Sequence, residues 1–385
     1  MTIPDKDRTL DILQVLEPSG GGSGRHFVDL CGALTKSGHR VTAIYSPTRA
    51  EQRFVEELTA LPLKSVIAVP MSRAPSPSDF AAWLAINRVI REQGPFDIVH
   101  GHSSKAGALI RLRPPGRHIP RIYTPHAFRT MDPTLGQGGR WIYGMIESLL
   151  GRHFSDAVIC VSEDEKKHAA TALGIPEHLL HIVVNGVDHP PSVDRDEIRG
   201  QLGARPENFV FGFVGRLSPQ KAPERLIEAF RRMAADRTDV ELAMVGFGEL
   251  LDDVKLQILE AGLSDRVHVT AEIPGSQAMG AFDALVMPSR YEAMSYVMLE
   301  GAAAALPMVL TDVGGASTVV EHGISGFIVP NDDDPHELAE AMHTLSHPMS
   351  YAPLKNAADA RKNRYSLDVM VEQTLAVYRR ILMTK

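Results

Sequence analysis

The sequence predicts an α/β protein of two doubly wound, Rossmann-like domains facing an interdomain cleft, and three observations carry that expectation. Short apolar, β-branched runs alternate with longer segments of helical period, the mark of repeated βα units on mostly parallel sheets. The alternation stops at one polar, proline-bearing stretch and then restarts. At 385 residues the chain also has the length of two ordinary domains.

In chain order the first strand expectations are Asp11 to Leu16, Val41 to Tyr45, Ser65 to Val69, Asp97 to His100, Arg121 to Thr124, Ala157 to Val161 and His181 to Val184. The break runs from Asn185-Gly186-Val187-Asp188 through His189-Pro190-Pro191 to about Glu207 and reads as a linker. Strands then resume at Val210 to Val214, Glu241 to Val245, Arg266 to Val269, Ala284 to Met287, Met308 to Thr311 and Phe327 to Val329. A final helical segment, Leu367 to Met383, lies far enough past the last strand to cross back to the first domain. The expected domains are therefore 1–190 with 367–385, and 191–366, with ligands at the carboxyl ends of the strands.

Composition narrows the function. A formal charge of -7 gives no global basic field, so nucleic acid is not an expected partner. Cys31 and Cys160 alone make neither a disulfide framework nor a zinc site, and Cys160 in its apolar run suits a buried thiol in a reducing cytoplasm. No signal core and no run of 18 or more apolar residues occurs.

Four segments hold candidate chemistry. Pro18-Ser19-Gly20-Gly21-Gly22-Ser23-Gly24 follows the first strand and opens a helix, where bare backbone N–H groups approach a phosphate; the alternative is a plain turn. Gly215-Arg216 follows a strand and Lys221 precedes a helix beginning near Pro223, so both cations fall beside a positive helix end that favours an anion. Glu292 is expected in the loop after Met287, and Glu300, eight residues on, inside the next helix; carboxylates accept hydrogen bonds from vicinal hydroxyls. His100, His102 and His126 fall at strand ends, but no third metal ligand is placed by the sequence, so they read as structural. The acidic runs Asp194-Arg195-Asp196 and Asn331-Asp332-Asp333-Asp334 read as solvated loops rather than metal sites.

In order, Gly21-Gly22, the His100 to His102 strand end, Thr124-x-His126, Val161-Ser162, Asn185-Gly186-Val187-Asp188, Gly215-Arg216 with Lys221, Gly246-Phe247-Gly248, and Glu292 with Glu300 resemble family 4 of the retaining glycosyltransferases, which have the two-lobed GT-B fold. The resemblance implies that Arg216 and Lys221 hold a donor diphosphate, that Glu292 contacts the transferred sugar, and that Glu300 binds the nucleotide ribose. It implies further that His126 lines the sugar pocket, that Gly22 approaches the phosphate, and that Gly21, Gly215 and Ser295 complete the donor site. Family members often carry Gly where Ala293 and Ser295 stand, Pro at Val297 and Glu at Gly24, so sugar identity and the acceptor side are less safely inherited than diphosphate binding.

The activity implied is transfer of a hexose from a nucleotide diphosphate sugar to an acceptor hydroxyl with retained anomeric configuration. No metal or other cofactor is expected, because Arg216 and Lys221 supply the charge that stabilises the leaving group. The expected acceptor is a lipid-linked or growing surface glycan. The basic run Arg111-Leu112-Arg113-Pro114-Pro115-Gly116-Arg117 and the apolar patch at Trp141 are expected to touch that acceptor or the inner, anionic face of the membrane. A nucleotide-sugar epimerase of the same fold and a non-catalytic two-lobed sugar-binding protein are the alternatives.

Overall fold

The apolar runs form thirteen parallel strands in the computed structural model, which describes residues 8–72, 74–114, 118–132 and 135–383. They are β1 Asp11–Leu16, β2 Arg40–Tyr45, β3 Ser65–Ala68, β4 Ile98–His102, β5 Arg121–Thr124, β6 Ala157–Cys160, β7 Leu180–Ile182, β8 Phe209–Val214, β9 Val240–Val245, β10 Val267–Thr270, β11 Ala284–Met287, β12 Met308–Thr311 and β13 Gly326–Val329. Backbone contacts divide the chain into two units, Met1–Gly186 with Leu367–Lys385, and Val187–Ser366.

The first unit holds a seven-stranded sheet of order β3-β2-β1-β4-β5-β6-β7. All six residues of β1 are buried, as a central strand covered by helices on both faces requires. Strand order reverses between β1 and β4, where Leu16 pairs with His102, and His102 pairs in turn with Thr124 of β5. The carboxyl ends of these three strands therefore bring the glycine-rich turn and the histidines to one edge, the usual ligand position in such sheets. Helix Leu367–Met383 packs into this core because Val371, Leu375, Tyr378 and Ile381 recur at helical spacing and are all buried. Each such side chain contributes about 1.5–3 kcal/mol as an upper limit.

The second unit repeats the plan with six strands, β10-β9-β8-β11-β12-β13, reversing between β8 and β11. Its core joins Phe211, Phe213, Leu242 and Met244 to Leu226, Ile227 and Phe230 of helix Pro223–Met233. Part of the stretch read as linker is an ordered helix instead, Arg195–Leu202. The Asp194 carboxylate caps it by accepting from the amides of Asp196 and Glu197, and Gly203 closes it in the left-handed region. Its Arg199 is buried and donates to Asp283 and to the carbonyls of Ala281 and Asn208, which fastens the helix to the unit.

Candidate active site

In the second unit two loops at strand carboxyl ends are stitched together. The amide of Arg290 donates to Gln220 O at 2.8 Å, the Gln220 side chain donates to Tyr291 O at 3.0 Å, and Arg290 Nη1 donates to Pro219 O at 2.7 Å. That stitching delivers Lys221 Nζ onto Glu292 Oε1, and both side chains are largely buried. An ammonium has three donors, so pairing with one carboxylate oxygen leaves donors for a further anion, and Glu292 keeps acceptor capacity for a hydroxyl.

The acidic turn after β13 serves this arrangement. Arg225 is buried and donates to Asp333 Oδ1 at 2.6 and 3.1 Å and to Asn331 Oδ1 at 2.9 Å, while Arg290 pairs with Asp333 and Glu224. The two guanidinium groups hold the Asp333 carboxyl below its ordinary range. Asp333 thus anchors the loop that carries Glu292 while its side chain stays exposed in the solvated turn the sequence led one to expect.

Beside Lys221, the loops after β8 and β9 pack backbone to backbone. A Cβ on Gly246 would lie 1.9 Å from Gly215 O, and one on Gly248 would lie 2.2 Å from Leu217 O, so both positions need glycine. Together with the segment after β10 they enclose a cavity of about 250 Å³ lined by Gly215, Arg216, Gly246, Phe247, Ile273 and Gly275. Its walls are mainly apolar, and Arg216 and Phe247 are exposed at it. Glu300 lies in helix Tyr296–Ala303 and is half-buried; Ser295 stands immediately before that helix and is buried. Gly314 and Gly315, which carried no site reading in the sequence, press against the carbonyls of Glu292 and Ala293 and support them.

In the first unit, His100, His102 and His126 form one hydrogen-bonded chain. Gln14 turns its amide nitrogen to Tyr378 Oη at 3.1 Å and its oxygen to His102 Nε2 at 2.8 Å. His102 Nε2 therefore carries the proton, and its Nδ1 accepts from His126 Nε2 at 3.1 Å. The other branch runs from Tyr378 Oη to His100 Nδ1 and from His100 Nε2 to Thr124 Oγ1. Burial drives His26, His100, His102 and His126 below the ordinary imidazole range, His26 to about 4. All four are neutral at pH 7, and His126 presents its Nδ1 lone pair. Neither His26 nor Tyr378 was legible as a partner, since one comes from helix Gly21–Lys36 and the other from the distant helix Leu367–Met383.

Backbone strain gathers at the same edge. Ser103, His126 and Ala127 all have positive φ, of 65°, 53° and 77°, in the region that disfavours side chains. Glu165 holds the last two in place: its carboxylate accepts from the amides of Ala127 and Val161, each at 2.7 Å. Burial raises the Glu165 carboxyl to about 7 against those two donors. At the glycine-rich turn, Gly21 has φ of 59° and Gly22 is exposed. The Gly21 amide donates to Glu51 Oε1 at 3.1 Å, and the Glu51 side chain fills the space where a Cβ on Gly20 would stand.

The basic run needs correction. Arg111 ends helix Ser103–Arg111, is fully buried, pairs with Glu147 at 2.8 Å and lies 3.9 Å from the Tyr123 ring centre, so it is no acceptor or membrane contact. A buried guanidinium needs such a partner, and Glu147 supplies it from 36 residues away. Arg113 is committed to Asp156 and to Phe154 O, whereas Arg117 lies outside the described residues. Trp141 is exposed on helix Gln137–His153, where Ile142, Met145 and Leu149 extend an apolar stripe.

Residues 20–189 match the Glycosyltransferase Family 4 family, and residues 194–363 match the Glycosyl transferases group 1 family. A UDP-Gal:alpha-D-GlcNAc-diphosphoundecaprenol alpha-1,3-galactosyltransferase of Escherichia coli is 27% identical over 66% of this chain and 67% of its own. A D-inositol 3-phosphate glycosyltransferase of Jonesia denitrificans is 27% identical over 94% of this chain and 91% of its own. Among solved structures, Anabaena HepE in complex with UDP and glucose superposes with a TM-score of 0.77 at 22% identity, covering 96% of this chain and 99% of that one. A glycosyltransferase from Rickettsia africae superposes at 0.78 with 20% identity, covering 98% and 100%. With both halves of its sequence matched and two parallel sheets of the shared architecture, the chain belongs to the family 4-like glycosyltransferases of GT-B type.

Proposed function

We propose that this glycosyltransferase moves a hexose from a nucleotide diphosphate sugar to an acceptor hydroxyl, with retained anomeric configuration and without a metal. The Lys221–Glu292 pair beside the Arg216 cavity carries the reading. The cavity takes the base, Arg216 and the remaining donors of Lys221 take the diphosphate, and Glu292 with Glu300 takes hydroxyls of the sugar and ribose. As the bond between C1 and the diphosphate oxygen breaks, the two cations stabilise the negative charge that develops on the leaving group. The acceptor oxygen bonds to C1 on the same face, and its proton passes to the departing diphosphate. His126 orients the sugar through its ring.

The activity of the Escherichia coli relative makes a UDP-hexose the first donor to try, and a diphosphate-linked lipid glycan the first acceptor. A membrane-borne acceptor fits the apolar stripe Trp141, Ile142, Met145 and Leu149, with Arg140 and Arg152 exposed on the same helix, a composition suited to lying in an anionic interface. Among the described residues no helix is long and apolar enough to cross a membrane.

The decisive experiment incubates the chain with a panel of UDP-, GDP- and ADP-hexoses in the presence of EDTA, with and without diphosphate-lipid acceptor. Nucleoside diphosphate release that grows with acceptor is the expected result. An epimerised donor formed without acceptor makes the protein an epimerase, and intact donor in every case makes it a binding protein; either outcome overturns the reading.

A further inference from the structure

We propose that His26, His102 and His126 form a three-nitrogen site in the first unit for a divalent transition metal of the zinc and cobalt class. One ring nitrogen from each lies within 4.8 Å of the others. The three come from separate elements, helix Gly21–Lys36, the last residue of β4 and the turn after β5, so the fold itself assembles them. A tetrahedral ion with bonds of about 2.0–2.1 Å needs donors about 3.3 Å apart, and the His102–His126 pair already stands at 3.1 Å. Turning the His26 ring closes the remaining gap.

Two further features suit a metal. His26 Nδ1 is buried without a hydrogen-bond partner, in a residue 3% exposed. An outer partner orients one of the rings: the Gln14 oxygen takes the His102 Nε2 proton and leaves Nδ1 to bind. An arriving ion takes the place of the proton between His126 and His102, and His126 moves that proton from Nε2 to Nδ1. Because the donors are all imidazole nitrogens with no carboxylate among them, zinc, cobalt, nickel and copper fit and magnesium and calcium do not.

The ion would engage the same His126 that the transfer reading gives to the sugar, so it acts as an inhibitor, not a cofactor. Its binding does not rest on that reading, and the test keeps the two apart. Chelator-treated full-length protein is titrated with cobalt chloride and zinc chloride, and bound metal is measured after desalting. One equivalent, the visible spectrum of tetrahedral cobalt and a thermal midpoint raised by zinc are expected. His26→Asn and His102→Gln should each weaken binding more than about tenfold and Gln14→Leu by about tenfold, while Arg216→Ala in the other unit keeps it. Lack of a bound equivalent in the unmodified protein overturns the proposal whether or not the variants fold, and so does binding that survives both His26→Asn and His102→Gln. Metal content and cobalt colour are read without turnover, so failure of the transfer assay leaves this result standing.

Discussion

The carboxylate of Glu292 accepts a hydrogen bond from the ammonium of Lys221, 71 residues earlier in the chain. Both are largely buried, so removing Lys221 strands a negative charge at a cost of about 3–5 kcal/mol. Lys221→Ala should lower the melting temperature and reduce turnover by about 10²–10³-fold. Combining Lys221→Met with Glu292→Gln should recover most of the stability and none of the turnover. Calorimetry beside initial rates separates the two, and near-normal turnover in Lys221→Ala would remove the residue from the chemistry.

Two glycines should respond in opposite directions. Gly246→Ala pushes a methyl into Gly215 O and should cost about 1–3 kcal/mol while weakening donor binding at the Arg216 cavity. Gly200 lies inside helix Arg195–Leu202 with open space around it, so Gly200→Ala should stabilise by about 0.5–1 kcal/mol and leave donor binding alone. Urea titration with a donor-binding isotherm checks both.

Acid should loosen the first unit from pH 6.5 downward. His26 ordinarily titrates near 6.5 but near 4 in the fold, so between those values the unfolded chain holds a proton that the folded chain lacks. Stability falls as pH drops through that window, by on the order of 3 kcal/mol for His26 alone, and His100, His102 and His126 act in the same direction. Thermal melts from pH 7 to 4 should show the decline.

Glu165 has the opposite sign. Its folded carboxyl titrates near 7 against an ordinary 4.5, so between these values the folded chain keeps a proton the unfolded chain has lost, and stability falls as pH rises. Glu165→Gln should remove this contribution and, by loosening the turn at His126 and Ala127, reduce turnover. Identical pH slopes in the two proteins would show that Glu165 does not titrate there.

At the membrane, Trp141→Glu with Met145→Glu should abolish sedimentation with anionic vesicles at low salt. Arg113→Gln should instead lower stability and leave vesicle binding intact, because its guanidinium is spent on Asp156. Equal binding by the stripe variant and the unmodified chain would place any membrane contact elsewhere.

The sheets were legible because strand burial leaves a local signature: each run is short, apolar and bounded by turn residues. Lys221 and Glu292 were legible for a related reason, as both follow a strand end where such folds bind ligands. What escaped reading depends on pairing at a distance. Arg111 is buried because Glu147 lies across from it, and charge read along the chain suggests a surface. His26 joins His102 and His126 only once a helix and two strands are assembled. Helix Arg195–Leu202 is the different case, since Asp194, Glu197 and Gly203 marked its ends in the sequence and polar composition hid them.

Glu51 gives the glycine-rich turn a resident anion. Its carboxylate already satisfies the Gly21 amide, so a phosphate arriving there must displace a tethered competitor whose local concentration is of millimolar order or above. Loose inorganic phosphate gains little by such an exchange. A ligand gripped elsewhere at the same time can complete it, and the turn thereby sorts molecules by how many handholds they bring.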